Sequence, residues 1–139
     1  MAKKHIVVIN DTEEILELFR SIIEDEAGHE MIAFTFKPEM MEDIKQAKPD
    51  LIICDYMFGK EALGWQLVQK LRMDRGTERV PVIICSGAVR ELQDLEGVLA
   101  EKSIGILIKP FDVDELLQMM SRKLDPATNM EAKRTEQKR

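Results

Sequence analysis

The chain has 139 residues, 45% of them apolar, and a formal net charge of −6. That length suits one domain with a single core, and the acidic balance argues against nucleic acid as the main partner, because a phosphate backbone asks for a basic surface. No stretch approaches the roughly 20 apolar residues of a membrane span, and Met1-Ala2-Lys3-Lys4-His5 runs straight into a strand pattern, so the expectation is a cytoplasmic protein with no membrane contact.

Short apolar runs alternate with segments of helical period from end to end. The first strand is predicted over His5–Ile9. A helix follows from Thr12 to Ala27, with Ile15, Leu18, Phe19, Ile22 and Ile23 on one face, Asp11 or Thr12 as its cap and Gly28 as its stop. Glu30–Phe34 is a weaker second strand, and a short helix opens at Pro38 and runs to Ala47. Pro49-Asp50 punctuates the chain before the third strand, Leu51–Cys54. After a loop from Tyr56 to Leu63, a helix covers Gly64–Asp74 and partly buries Trp65, Leu67, Val68 and Leu71.

Pro81–Cys85 is the fourth strand, Val89–Lys102 a helix weakened by Gly97, and Ile104–Ile108 the fifth strand. Asp112 with Glu115 makes a capping-box variant that starts the last helix, whose inner stripe is Val113, Leu116, Leu117, Met120 and Leu124. One methionine of each pair, Met40-Met41 and Met119-Met120, is expected in the core and the other partly exposed. Residues 125–139 are polar and charge-mixed, and are read as a partly disordered tail behind a domain at 1–124.

Five strand–helix units with short links imply an α/β fold: a doubly wound five-stranded parallel sheet with helices on both faces. Right-handed crossovers leave few topologies, and strand order 2-1-3-4-5 is the simplest. His5 and His29 read as ordinary solvent-side or strand-end residues. Cys54 and Cys85 end apolar runs, so both read as buried thiols. Their equivalent positions on neighbouring strands also leave open a close approach of the two sulfurs.

Four polar residues follow apolar runs in the same way. Asp11 follows Ile6–Ile9 after Asn10, Asp55 follows Leu51–Cys54, Ser86 follows Val82–Cys85, and Lys109 follows Ile104–Ile108. Singly, each has an ordinary explanation as a helix cap, a backbone-bonded hydroxyl or a solvated ammonium. On one parallel sheet all four meet at the carboxyl edge, where open α/β sheets bind ligands. Two acids, a hydroxyl and an ammonium gathered there suit a divalent cation and a phosphoryl group.

In this arrangement the chain resembles the response-regulator receiver domain of two-component signalling, from about Lys4 to Leu124. The resemblance rests on Ile6-Val-Val-Ile-Asn-Asp11, Pro49-Asp-Leu-Ile-Ile-Cys-Asp55, Pro81-Val-Ile-Ile-Cys-Ser86-Gly and Ile108-Lys-Pro-Phe111. It implies that Asp55 is the phosphoacceptor, that Asp11, Asp55 and the backbone carbonyl of Met57 hold Mg2+, that Ser86 turns toward the phosphoryl group, and that Lys109 contacts its oxygens. Pro110 then takes the family's cis peptide bond. The implied partners are a sensor histidine kinase or phosphotransfer protein as donor, and a downstream protein target. Members of the family also pair as homodimers.

The sequence departs from the family's pattern in four places. Asn10 stands where the first of two adjacent acids is usual; its carbonyl oxygen is expected to hold a metal-bound water but brings no charge, so Mg2+ binding is expected to be weaker than usual. Gly64 comes one step late after Asp55, like a one-residue insertion. Ile106 replaces an aromatic whose inward swing reports phosphorylation on the face of the 89–102 helix, the fifth strand and the last helix. Met57 and Ala88 put no polar group beside the phosphoryl site, which implies slow self-dephosphorylation.

A phosphorylation-independent binding module is the alternative, supported by Asn10 and Ile106 and opposed by Asp55, Ser86 and Lys109. An aspartyl-phosphate hydrolase of the haloacid dehalogenase type would want an acid two residues after its nucleophile. Met57 holds that place after Asp55.

Overall fold

In the computed structural model, residues 3–87 and 104–125 are described. The predicted helix over 89–102 and the polar tail lie outside them. The described elements are strands β1 (His5–Ile9), β2 (Glu30–Phe34), β3 (Leu51–Asp55), β4 (Val82–Ser86) and β5 (Ile104–Ile108), with helices α1 (Glu13–Arg20), α2 (Met41–Gln46), α3 (Leu63–Met73) and α4 (Val113–Leu124). All strand pairs are parallel, in the order β2-β1-β3-β4-β5.

Alternate residues of each strand serve opposite faces, which is why the strands read as continuous apolar runs. On one face, Val7, Ile9, Ile52, Cys54, Val82 and Ile84 pack with Met40, Ile44, Leu67, Val68 and Leu71 of the α2 and α3 side. On the other, Ile6, Val8, Leu51, Ile53, Ile83, Cys85 and Leu107 pack with Phe19, Ile22, Ile23, Leu116 and Met120 of the α1 and α4 side. Met40 and Met120 are buried, while Met41 and Met119 are half-buried, as the pairs suggested.

Cys54 pairs with Ile84 and Asp55 with Cys85. The two thiols therefore point to opposite faces of the sheet, so the close approach left open by the sequence does not occur. A sheet cannot bring side chains of opposite parity together. Both are free and buried. Burial pushes the Cys85 thiol up to about 12 and the Cys54 thiol well above its ordinary value, which leaves both unreactive.

Several local expectations need correction. The helix predicted over Thr12–Ala27 is α-helical only to Arg20, and Ser21–Glu26 widens to π winding, with Ala27 N–H donating to Ile22 O at 3.0 Å. The wider turn sends the consecutive residues Ile22 and Ile23 both inward, while Leu18 turns outward and is 48% exposed. Gly28, at φ +73°, closes the segment.

Thr12 and Asp112 stand at the helix N-caps with extended backbone, but neither side chain makes a cap hydrogen bond. Asp11 spends its carboxylate on the Phe36 N–H at 3.0 Å instead. Val113, at the first position of α4, is exposed because the inward stripe begins at Leu116. The helix predicted over Pro38–Ala47 is shorter, Met41–Gln46. His5 and His29 are ordinary strand-edge groups, His5 facing Glu30 at 3.5 Å and His29 Nδ1 accepting from Lys4 N–H.

Gly64 has a specific reason to be glycine. A Cβ there would overlap the Asp55 carbonyl and crowd that of Tyr56, so α3 seats directly on the backbone beneath Asp55. The loop before it turns at Phe58–Glu61, where those two residues exchange backbone hydrogen bonds around Gly59 at φ +66°. The interval between Asp55 and Gly64, which the sequence reads as one step longer than usual, holds this loop. Gly64→Ala is expected to cost roughly 1–3 kcal/mol, the range for overpacking, measured as a drop in the chemical-denaturation midpoint with little change in m.

Candidate functional site

The chain runs from β1 outward to β2 and back to β3 on the other side of β1, so a crevice opens beyond the carboxyl ends of β1 and β3. Asn10 and Asp11 leave β1 there, Asp55 closes β3, Ser86 closes β4 and Lys109 follows β5. Asp55, Met57, Cys85, Ser86, Gly87 and Lys109 line an open cleft of about 210 Å³ at this rim.

Asp55 is the centre. Its side chain is only 17% exposed, and Lys109 Nζ lies 2.9 Å from its Oδ1. Asn10 Nδ2 donates to its Oδ2 at 2.7 Å. Burial pushes the Asp55 carboxyl above its ordinary value. The Lys109 hydrogen bond and charge pull the other way, while the charge of Asp11 adds a smaller upward push. Lys109 itself is positioned from its backbone, since its N–H donates to Ser86 O at 2.9 Å. The Lys109–Pro110 peptide is cis.

Asn10 is buried, and its two ends do different work. Its Oδ1 accepts the Thr12 N–H at 2.8 Å while its Nδ2 faces the Asp55 carboxylate. The partners fix the amide's orientation, because a carboxylate only accepts and an N–H only donates. The Asn10 carbonyl, expected from the sequence to hold a metal-bound water, accepts the Thr12 N–H and so turns toward the start of α1.

Asp11 is exposed at the crevice, and its influence on Asp55 marks the two carboxylates as neighbours. Ser86 is buried on the cleft wall, and Met57 sits 36% exposed at its mouth. All four residues singled out from strand ends thus come to one sheet edge. Sequence reasoning missed the Asn10–Asp55 bond, the Phe36 N–H on Asp11, the stacking of Phe36 on Phe58 at 4.8 Å between ring centroids, and the Cys85 wall. In the sequence, Gly59 and Gly64, which bracket residues 60–63 after Asp55, were the signal available for a tight passage there.

The donor set fits a hard divalent cation. Asp11 and Asp55 both stand at the carboxyl edge of the sheet, and the Met57 backbone carbonyl is the third oxygen donor expected from the sequence. Among the described residues, no three His, Cys, Asp or Glu side chains gather as a metal cluster. An ion here would rest on two acids, a carbonyl and water, which is the habit of Mg2+. Each Asp55 oxygen already faces one donor, Oδ1 the Lys109 ammonium and Oδ2 the Asn10 amide.

Over residues 6–121 the chain matches the response regulator receiver domain. It belongs to that family, the receiver domains of two-component systems. It is 31% identical over 112 residues to the phosphate regulon transcriptional regulatory protein PhoB of Rhizobium meliloti, covering 81% of this chain and 48% of that protein. The chain thus spans about half the length of the PhoB relatives it matches.

Its fold is that of the chemotaxis response regulator CheY4 of Vibrio cholerae, at a TM-score of 0.73 and 23% identity, over 88% of this chain and 100% of that one. The receiver domain of a sensor histidine kinase from Pseudomonas aeruginosa has the same fold, at a TM-score of 0.71 and 18% identity, over 88% and 98% of the two chains. That domain carries a magnesium ion coordinated in its active-site cleft. No described helix of the present chain is long and apolar enough to cross a membrane.

Removing the ammonium leaves burial of Asp55 unopposed. In Lys109→Met the folded-state carboxyl rises further above its unfolded value, so the cost relative to wild type is full above the variant's value and vanishes below the wild type's own raised value. The variant is expected to lose roughly 2–5 °C in Tm at neutral pH. Thermal melts across a pH series check this, with the loss shrinking as the pH falls through the weakly acidic range.

Proposed function

We propose that this chain is a phosphoacceptor receiver whose Asp55 takes a phosphoryl group from a phosphohistidine of a sensor histidine kinase or phosphotransfer protein, and then alters docking to a downstream protein. The observation that carries this reading is the Asp55 carboxylate held by Lys109 at 2.9 Å on the rim of a cleft also lined by Ser86. An Asp55 oxygen forms the bond to phosphorus as the donor's phosphorus–nitrogen bond breaks, and the bonding pair leaves with the imidazole. Lys109 sits where the negative charge of the transferring oxygens gathers, and catalysis of this kind is mainly electrostatic positioning. A bound Mg2+ held by Asp11, Asp55 and the Met57 carbonyl would supply further charge neutralisation.

After transfer, the Ser86 hydroxyl gains a charge-assisted hydrogen bond to the phosphoryl group. Because Lys109 N–H is bonded to Ser86 O, movement of the loop after β4 and movement of the lysine backbone are linked. Ile106 is half-buried against the core and has no ring to rotate. The output therefore runs through the backbone around Ser86 and Gly87. The alternative, a receiver fold that docks regardless of phosphorylation, draws on Ile106 and on the charge missing at Asn10.

Incubation with acetyl phosphate or phosphoramidate and Mg2+ separates the two by intact mass. The wild type is expected to gain one phosphoryl group and Asp55→Asn none; an unchanged wild-type mass leaves the phosphorylation-independent module. Met57 offers no group to orient an attacking water, so the acyl phosphate is expected to last minutes or longer. Met57→Asn should shorten that lifetime by roughly tenfold or more, read from the decay of the phosphorylated mass, and a wild-type lifetime of seconds would count against the account.

A further inference from the structure

Asn10 occupies a place where its amide and a divalent cation want the same atom. Its Nδ2 donates to Asp55 Oδ2 at 2.7 Å, while Lys109 Nζ lies 2.9 Å from Oδ1. Both oxygens of the carboxylate are thus engaged from within the chain. The amide cannot swing away freely, because it is 2% exposed and its Oδ1 is bonded to the Thr12 N–H at 2.8 Å. One side chain therefore ties the start of α1 to the end of β3.

We propose that Asn10 is a positioning residue that clamps Asp55 in its metal-free geometry and competes with a divalent cation for the Asp55 carboxylate. Metal binding is then weakened from two sources: a charge that is absent, and a donor that already holds the carboxylate oxygen. The first source is a property of what Asn lacks, the second of what it has. A charge-assisted hydrogen bond to a largely buried carboxylate is among the stronger ones a side chain makes, and a cation entering at the same oxygen has to weaken or replace it. The inference rests on the phosphoacceptor reading only in taking the cation site to be the one that serves Asp55.

The two sources separate by substitution. Asn10→Ser adds no charge and keeps a short oxygen that can accept the Thr12 N–H, as serine does at such turns, but it is too short to reach Asp55. Titration of wild type and Asn10→Ser with MgCl2 against ionic-strength-matched NaCl, followed by calorimetry, reads the difference directly. The clamp predicts roughly tenfold tighter Mg2+ binding by Asn10→Ser, the scale of one such hydrogen bond. Equal or weaker binding by a variant with wild-type circular dichroism overturns it, and so does the absence of binding in both proteins.

A measurement on the wild type covers the case in which the variant does not fold. In a 1H–15N spectrum, saturation with Mg2+ is expected to move the Asn10 side-chain amide signals as the bond to Asp55 is released, with little change at the Thr12 amide. Asn10 amide signals that stay in place while the Asp11 and Met57 amides shift overturn the clamp. Neither readout involves phosphoryl transfer. A chain that fails to accept phosphoryl groups at Asp55 can still show the competition, and a failed competition leaves the acceptor role intact.

Discussion

A carboxylate with 17% of its side chain exposed has to find its solvation inside the protein, and Asp55 finds it in one ammonium and one amide. Those two groups come from the chain ends of β1 and β5, with Asp55 on β3 between them. The parallel sheet with this strand order brings these distant residues to one rim. The carboxylate thus depends on the topology for its partners. Burial raises its pKa and Lys109 opposes the rise, with burial the stronger of the two.

The packing beneath Asp55 is as constrained as the polar groups above it. α3 approaches so closely through Gly64 that no side chain fits between helix and strand end. Cys54 fills one face below the site and Cys85 the other, both as neutral thiols. The base of the crevice is therefore apolar and close-packed, and the charged groups are confined to its mouth. This separation lets Lys109 act on Asp55 across a short distance with little water between them.

Much of this was legible in the sequence, for a physical reason. Strands buried on both faces must be apolar throughout, so a polar residue that ends such a run marks the sheet edge, and Asp55, Ser86 and Lys109 all do so. The side chains that escaped prediction are those whose role depends on partners from other elements. Whether Asn10 offers its oxygen or its amide to the site is decided by the Thr12 N–H and the Asp55 carboxylate, not by residue type. Asp11 looked like a helix cap until the β2–α2 loop supplied the Phe36 N–H. The π winding of Ser21–Glu26 was also invisible, because a helical hydrophobic stripe does not specify how the last turn is wound.

One contact on the rim shapes how that edge can deform. Asp11 carries the Phe36 amide, and the Phe36 ring lies nearly flat on Phe58, with 22° between their planes. Three connecting segments, following β1, β2 and β3, are thereby fastened into a single lip on one side of the opening. Because β1, β2 and β3 lie to one side of β4 in the sheet, this fastening ties together the loops on the side of the rim away from Ser86 and Gly87.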